Sequence, residues 1–215
     1  MTNPWLEIPL ADYVGHMSSP QVGQHQVLNA LLKDALSRAR PRSALVLGCS
    51  TGNGLEHVDP VVTSHVVAID INPAYLERLA ERFPAPRFAL EVHCADLVEF
   101  SFEREAFDLV HAALILEYLD WVRVLPRVAA AIRPGGVLTA VLQLPSHTTP
   151  AVTPTPFTTL RVLESIFCFV DPRLLIAEAA ALGLRVESRR TEHLESSKAF
   201  ETLRFRRASP RSTER

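Results

Sequence analysis

Hydrophobic positions along the chain follow two alternating patterns. Short runs that are apolar at nearly every position predict strands buried on both faces, as in a central parallel sheet. Longer segments with apolar residues every three or four positions predict amphipathic helices. The predicted strands are residues 44–47, 65–70, 87–93, 107–113 and 137–144, and the predicted helices are residues 21–40, 73–82, 119–132 and 172–182.

This alternation predicts an α/β fold with a Rossmann-like, doubly wound sheet that carries helices on both faces. Parallel strands need crossover connections, and right-handed helical crossovers place helices on either side of the sheet. Residues 184–191 and 198–206 add two further strands, which we expect to pair antiparallel. No internal repeat is present.

The remaining segments define the domain organisation. Residues 1–40 are expected to form an N-terminal cap segment and a helix, with residues 1–20 irregular because three prolines interrupt them. Residues 41–207 form the main domain. Within it, residues 145–170 begin as a Pro- and Thr-rich loop, continue as one apolar helix face, and are the expected substrate lid. Residues 208–215 are expected to be a disordered tail.

Three possible ligand-binding signals stand where predicted strands end, which is the edge where open α/β sheets bind ligands. The turn Gly48-Cys49-Ser50-Thr51-Gly52-Asn53-Gly54 follows the first strand and opens a short predicted helix. Its glycines allow a ligand to approach the backbone closely. Asp70 ends the second strand and Asp96 follows the third, where carboxylates can accept from ribose hydroxyls and an adenine amine. Each signal alone also fits a packing turn, a helix cap or a solvated acid, but their joint order is more specific.

With these pieces the sequence resembles the class I S-adenosylmethionine-dependent methyltransferases. The matching stretches run from about residue 44 to residue 144 and read VLGCSTGNG, VVAIDIN, HCADL, FDLVHAALILEYL and RPGGVL. The resemblance implies a seven-stranded, mostly parallel sheet whose last strand is antiparallel. It also implies S-adenosylmethionine (SAM) as the cofactor.

The resemblance assigns a role to each residue beyond the strand ends. Asp70 would bind the ribose diol of SAM, and Ile71 would pack on the adenine. Asp96 would accept a hydrogen bond from the adenine amine, while the Leu97 N–H would bond to a ring nitrogen. The stretch from Ala112 to residue 114 would line the methionine part.

The glycine-rich turn, here Gly48, Cys49, Ser50 and Gly52, would pass under the amino-acid part of SAM. The sequence departs from the family pattern at two positions. Most relatives have a glycine where this chain has Ser50, and an acid where it has Val46. That acid usually helps to hold the SAM ammonium group, so another group is expected to replace it here.

A candidate replacement precedes the first long helix. The stretch Asp12-Tyr13-Val14-Gly15-His16-Met17 resembles the leader of a poorly characterised subgroup of these proteins. We hypothesise that it folds over the SAM pocket and brings Tyr13 and His16 near the methionine end. The alternative is a segment that only contributes packing.

Catalysis of methyl transfer requires mainly positioning and exclusion of water, because the sulfonium brings its own leaving group. A general base is needed only when the nucleophile must lose a proton. No residue is assigned this role, and the candidates are His16, His111, His147, Tyr13 and Glu117, of which His111 is expected to be a core histidine. Substrate specificity is expected to lie in residues 1–25 and 145–170. The second segment is rich in Pro and Thr and then apolar, which favours a small, partly apolar acceptor molecule.

Composition and charge exclude several classes of protein and of binding partner. The chain is 47% hydrophobic and 21% charged, as expected for a globular domain with a core. Its net charge of −2 gives no general attraction to nucleic acid or acidic lipid. The three cysteines lack a CxxC spacing, so we expect small buried thiols and neither a metal site nor a disulfide framework. Without a signal peptide or a membrane-spanning run, the protein is expected to be cytoplasmic, as a monomer or homodimer.

Three other functions remain as alternatives. A nicotinamide-dependent oxidoreductase usually has G-x-G-x-x-G, whereas this turn is G-x-x-x-G-x-G and no Tyr-x-x-x-Lys follows. An aminopropyltransferase of the same fold would need an acidic polyamine pocket, which is not evident. A module that binds SAM without catalysis is favoured by Val46 and by the absence of an obvious base.

Overall fold

The computed structural model describes residues 2–146, 148, 150–195 and 197–209. Its strands are β1 (Ser43–Leu47), β2 (His65–Asp70), β3 (Ala89–Cys94), β4 (Phe107–Ala113), β5 (Ile132–Gln143), β6 (Leu184–His193) and β7 (Ala199–Arg207). The α-helices are α1 (Leu10–Ser18), α2 (Gln24–Ala39), α3 (Pro73–Arg82), α4 (Trp121–Ala131) and α5 (Pro172–Ala181). Short 3-10 helices cover Pro4–Glu7, Leu55–His57, Leu116–Tyr118 and Thr158–Ser165.

All seven strands join one sheet in the order β3-β2-β1-β4-β5-β7-β6. Neighbours from β3 to β5 are parallel, whereas β7 is antiparallel to both β5 and β6. The predicted α/β fold, with seven strands and an antiparallel last strand, is therefore confirmed. The order reverses beside β1, so the edge beyond β1 and β4 is where ligands are expected to bind.

Helices cover both faces of the sheet, because successive side chains of a strand point to opposite sides. Leu45 and Leu47 of β1 belong to a core shared with α4 and α5. Ala44 and Val46, their neighbours in sequence, pack instead into a core shared with α2 and α3. The continuous apolar runs of the sequence correspond to these strands with two buried faces.

Helix starts follow local capping signals. The Asn72 side chain accepts from the Ala74 N–H at 3.0 Å at the start of α3, and Asp171 does the same for Arg173 at 2.8 Å before α5. Both caps are followed by a proline at the first helical position, whose fixed φ suits a helix and whose missing N–H costs nothing there. Such signals made α3 and α5 predictable.

Four local predictions were wrong. Residues 1–20 contain a 3-10 helix and α1, because Pro4 and Pro9 stand at helix starts, where proline is tolerated, and Pro20 lies beyond the end of α1. Only a single 3-10 turn follows the glycine-rich turn. The expected amphipathic helix at 157–170 is a 3-10 helix. Of the three cysteines, Cys49 is buried but Cys94 and Cys168 are exposed.

No helix within the described residues is both long and apolar enough to cross a membrane. Of the tail that was expected to be disordered, residues 210–215 lie outside the described residues.

Candidate functional site

A deep pocket opens at the carboxyl edge of the sheet. Gly48 directly follows β1, Asp70 ends β2, Asp96 lies two residues after β3, and Ala113 ends β4; all four line this pocket. The carboxyl ends of parallel strands meet at one edge, which is why residues 65 positions apart in sequence converge here. The site is thus a direct product of the sheet topology.

The glycine-rich turn forms one wall of the pocket. Gly48 has a φ of 66°, and a Cβ at this position would lie 3.0 Å from Cδ1 of Ile115. Ser50 also has a left-handed φ, 48°, which costs a residue with a side chain about 1–2 kcal/mol. The Ser50 N–H donates to Oδ2 of Asp70 at 2.8 Å, and this bond holds the turn against the end of β2.

Asp70 lines the pocket and does not cap α3. Its Oδ1 accepts from the Asn72 N–H at 2.9 Å, while Asn72 itself caps the helix. Burial raises the pKa of Asp70, and the N–H groups it accepts oppose that rise. Each carboxylate oxygen keeps a second lone pair, which a pair of vicinal hydroxyls can use.

Asp96 lies on the far side of the same pocket. Its Oδ1 accepts from the Val98 N–H at 2.8 Å, which fixes the carboxylate and leaves Oδ2 for a ligand. Ile71 and Leu97 line the pocket next to the two acids. The structure therefore brings together the predicted acids and the predicted apolar contacts.

The N-terminal segment folds over this pocket. Tyr13 lines it, and the Tyr13 ring stacks on Tyr75 of α3 with centroids 4.7 Å apart. Burial raises the pKa of Tyr13 to about 12, with a smaller rise from the Asp70 carboxylate and an opposing effect of Ser50. Asn72 ties the segment down by donating to the carbonyl of Trp5 at 2.9 Å.

A second segment completes the cover, and we call residues 2–18 and 150–167 together the cap. Asp12 Oδ2 accepts from the Thr159 hydroxyl at 2.7 Å, and His16 Nδ1 lies 3.0 Å from the Thr155 hydroxyl. Burial and the Lys198 charge lower the pKa of His16 to about 4, so this imidazole is neutral at pH 7. The cap has an apolar core of its own, formed by Ile8, Val152, Leu160 and Leu163.

Three polar side chains form what we call the polar floor of the pocket: Glu117, Gln143 and Lys198. Glu117 Oε1 accepts from the Gln143 N–H at 2.7 Å, and Lys198 Nζ donates to Gln143 Oε1 at 3.3 Å. Lys198 also donates to the Ala151 carbonyl at 2.7 Å. Burial raises the pKa of Glu117 to about 7 and lowers that of Lys198 to about 8.

Not every predicted residue reaches the pocket. Ala112 faces the core shared with α4 and α5, and the pocket is lined by its neighbours Ala113 and Leu114 instead. Gly52 does not line the pocket; a Cβ there would lie 3.0 Å from the Phe83 ring, so this glycine serves packing. The third base candidate, His147, lies outside the described residues.

Sequence reasoning also missed residues that line the pocket. Gln24, the first residue of α2, is buried and lines the same pocket as Val46. Lys198 was missed because a lysine near a strand start suggests a solvated position. A signal was present, since Lys198 is one of only two lysines among 22 basic residues.

Comparison with known families agrees with this geometry. Residues 44–136 match a family model described as a methyltransferase domain. Together with the seven-stranded sheet, this match supports the resemblance of the chain to the class I S-adenosylmethionine-dependent methyltransferases. A trans-aconitate 2-methyltransferase of Methylobacterium radiotolerans is 37% identical over 109 residues, which are 50% of this chain and 39% of that protein. The match thus spans well under half the length of this relative.

Solved structures share the whole fold of this methyltransferase domain. The N-methyltransferase NodS from Bradyrhizobium japonicum, in complex with S-adenosyl-L-homocysteine (SAH), aligns with a TM-score of 0.70 at 21% identity. That alignment covers 96% of this chain and 99% of NodS. The [4+2]-cyclase SpnF aligns with a TM-score of 0.66 at 12% identity, over 94% of this chain and 98% of SpnF. A protein named as a cyclase shares the fold, so the fold alone does not define the reaction.

Proposed function

We propose that this protein binds SAM in the strand-end pocket and transfers its methyl group to a small, partly apolar molecule. The observation that carries the proposal is the convergence of Asp70, Asp96 and the Gly48 turn under Tyr13 of the cap. Along the sheet edge from β3 to β1, these groups match the needs of an adenine amine at Asp96, a ribose diol at Asp70 and an amino-acid moiety at the Gly48 turn.

The residues present fit this cofactor. Asp70 has free lone pairs for the ribose, and Asp96 Oδ2 is available for the adenine amine. At the other end, we propose that the Gln24 amide takes the place of the acid that Val46 replaces. An amide both donates and accepts, so it serves an ammonium or a carboxylate group. When bound, SAM supplies an electrophilic methyl group, while the protein orients the acceptor and excludes water.

The acceptor side supports a small molecule. Apolar and aromatic side chains of the cap line this side: Trp5, Val152, Leu160, Leu163 and Phe167. Such walls with few polar groups are typical of small-molecule sites. The name of the relative, trans-aconitate 2-methyltransferase, indicates a small acceptor for that protein, and because the match covers 39% of it, the name does not assign a carboxylate acceptor to this chain.

Isothermal titration with SAM and with SAH tests the cofactor. We expect micromolar binding that Asp70→Ala and Asp96→Ala each weaken at least tenfold, which corresponds to about 1.4 kcal/mol. The matched control is Asp34→Ala, because Asp34 is an exposed aspartate of α2 outside the pocket. Absence of heat and of any thermal shift with both ligands would refute the proposal, as would equal losses in all three variants.

A further inference from the structure

Glu117 has only half of its hydrogen-bonding capacity satisfied. The residue is 1% exposed, its Oε1 accepts from the Gln143 N–H, and its Oε2 has no partner among the described residues. A buried carboxylate oxygen without a partner is costly, because it loses water without compensation. Since Glu117 lines the pocket, a ligand is the available source of the missing partner.

The position of Glu117 assigns that ligand to the acceptor side. The two acids proposed to hold the nucleoside stand after β2 and β3, on one side of β1 in the sheet. Glu117 follows β4 and bonds to the end of β5, on the opposite side of β1. Its neighbour Tyr118 contacts Trp5 of the cap, with ring centroids 5.0 Å apart. Glu117 therefore lies on the side of the pocket that the cap residues line.

Two titratable groups near this carboxylate come from other segments of the chain. Lys198, before β7, shares Gln143 with Glu117, while His16 of α1 is neutral and lies within the electrostatic reach of Lys198. Lys198 uses two of its three N–H donors on Gln143 and Ala151. No ion pair joins Lys198 to Glu117 in the described part of the chain, so the carboxylate keeps its capacity to take a proton.

We propose that Glu117 accepts the proton of the methyl acceptor, which makes the acceptor an amine or a hydroxyl compound and not a carboxylate. The inference rests on the proposed function. The nitrogen or oxygen lone pair forms the new bond to the methyl carbon as the methyl–sulfur bond breaks. The electrons of that bond go to sulfur, which becomes a neutral thioether, and the N–H or O–H proton passes to Oε2 of Glu117.

Two properties of the site support this assignment. Burial holds the pKa of Glu117 near 7, where a carboxylate both takes up and releases a proton at neutral pH. A carboxylate acceptor has no proton to lose at that pH and would be repelled by the ionised form of Glu117. An N–H or O–H group instead supplies the donor that Oε2 lacks.

The test uses the full chain and three series of small aromatic probes that differ in one group: benzylamines, benzyl alcohols and benzoates. Binding is measured by titration in the presence of saturating SAH, and transfer is measured with SAM labelled in its methyl group. Glu117→Gln keeps the shape of the side chain and an oxygen for the Gln143 N–H. Glu164→Gln is the control, since Glu164 is an exposed residue of the cap.

We expect the amine or the alcohol series to bind and to accept methyl, and the benzoates to do neither. Which of the two series is used identifies the acceptor atom. Glu117→Gln is expected to weaken probe binding at least tenfold, to slow transfer at least a hundredfold, and to remove the rise of rate with pH near 7. Glu164→Gln should change none of these.

The same data separate this inference from the proposed function. Unchanged SAH affinity in Glu117→Gln shows that the variant is folded and that the cofactor site is intact. The inference is overturned if benzoates are preferred, if neither the amines nor the alcohols bind, or if Glu117→Gln behaves like Glu164→Gln. It is also overturned if Glu117→Gln weakens SAM and SAH equally, because Glu117 would then hold the cofactor. Failure of SAM to bind the wild-type protein would instead refute the proposed function.

Discussion

Closure of the cap depends on the contact between Gly15 of α1 and the Phe157 ring, and this contact is testable. A Cβ added to Gly15 would lie 2.2 Å from Cζ and 2.5 Å from Cε1 of Phe157. Carbon atoms that are not bonded pack at about 3.5–4.0 Å. Gly15→Ala therefore requires Phe157 to move, and the α1 half of the cap would separate from residues 150–167.

Two opposing effects set the change in the free energy of unfolding that Gly15→Ala causes. Overpacking of this kind costs about 1–3 kcal/mol. Alanine in a helix interior gains about 1 kcal/mol over glycine. We thus expect Gly15→Ala to lower the free energy of unfolding by about 1 kcal/mol. In a Phe157→Ala background the ring is gone, so the same substitution should raise stability by about 1 kcal/mol.

Urea unfolding of the wild type, both single variants and the double variant measures this sign reversal. The expected coupling energy is about 1–3 kcal/mol, as for residues in direct contact. SAM affinity should fall in Gly15→Ala, since the displaced α1 carries Tyr13 away from the pocket. Additive effects within about 0.5 kcal/mol, or a stabilising Gly15→Ala in the wild type, would refute the described packing of the cap.

Three further outcomes are expected. The pair Tyr13→Phe and His16→Ala should weaken SAM binding about two- to tenfold, as for one lost hydrogen bond, and an unchanged Kd would show that the cap does not reach the cofactor. Gly48→Ala should reduce both thermal stability and SAM affinity, because the new methyl group meets Ile115 at a backbone φ of 66°; retention of both would show that the turn adapts. Burial lowers the pKa of His111 to about 4 in the folded state, below its unfolded value of 6.5, so the folded state binds fewer protons. The stability that neutral His111 contributes is full above pH 6.5 and is lost as the pH falls towards 4. At pH 5 the loss is about 2 kcal/mol. Urea unfolding at pH 8 and pH 5 measures this loss, which should be smaller in His111→Gln than in the wild type.

The sheet was predictable because its evidence is local. Residues 65–70 and 107–113 are apolar on both faces, and each strand with its neighbouring helix signals a crossover whose hand is fixed. Asp70 and Asp96 follow from the same logic, since the end of a strand defines the binding edge. Ala112 was misplaced because a strand alternates its faces, and the phase of β4 becomes clear only in the register of the sheet.

The cap and the polar floor were not predictable in the same way. Pro4 and Pro9 predict breaks in regular structure, but Pro4 stands at the first position of a 3-10 helix and Pro9 directly before α1, where proline is favoured. Glu117 and Lys198 are 81 positions apart in the sequence and meet only through Gln143. Such long-range polar contacts leave no periodic signal, because they depend on how separate segments pack.

The polar floor and Val46, which stands in β1 where relatives have an acid, are connected through the charge of the pocket. Where relatives have an acid, Val46 packs against α2 and leaves the amino-acid end of the pocket with the neutral amide of Gln24. A neutral hydrogen bond contributes about 0.5–1.5 kcal/mol, against about 1.5–3 kcal/mol for one to a charged group. We therefore expect SAM to be held about tenfold less tightly at this end than an acid would allow.

The valine at position 46 also removes one negative charge from the pocket and leaves Glu117 as the buried carboxylate on the acceptor side. A second ionised acid nearby would raise the pKa of Glu117 further and keep it protonated at neutral pH. Under the proposed role of Glu117, a valine at position 46 therefore favours the ionised form of Glu117, which can act as a base.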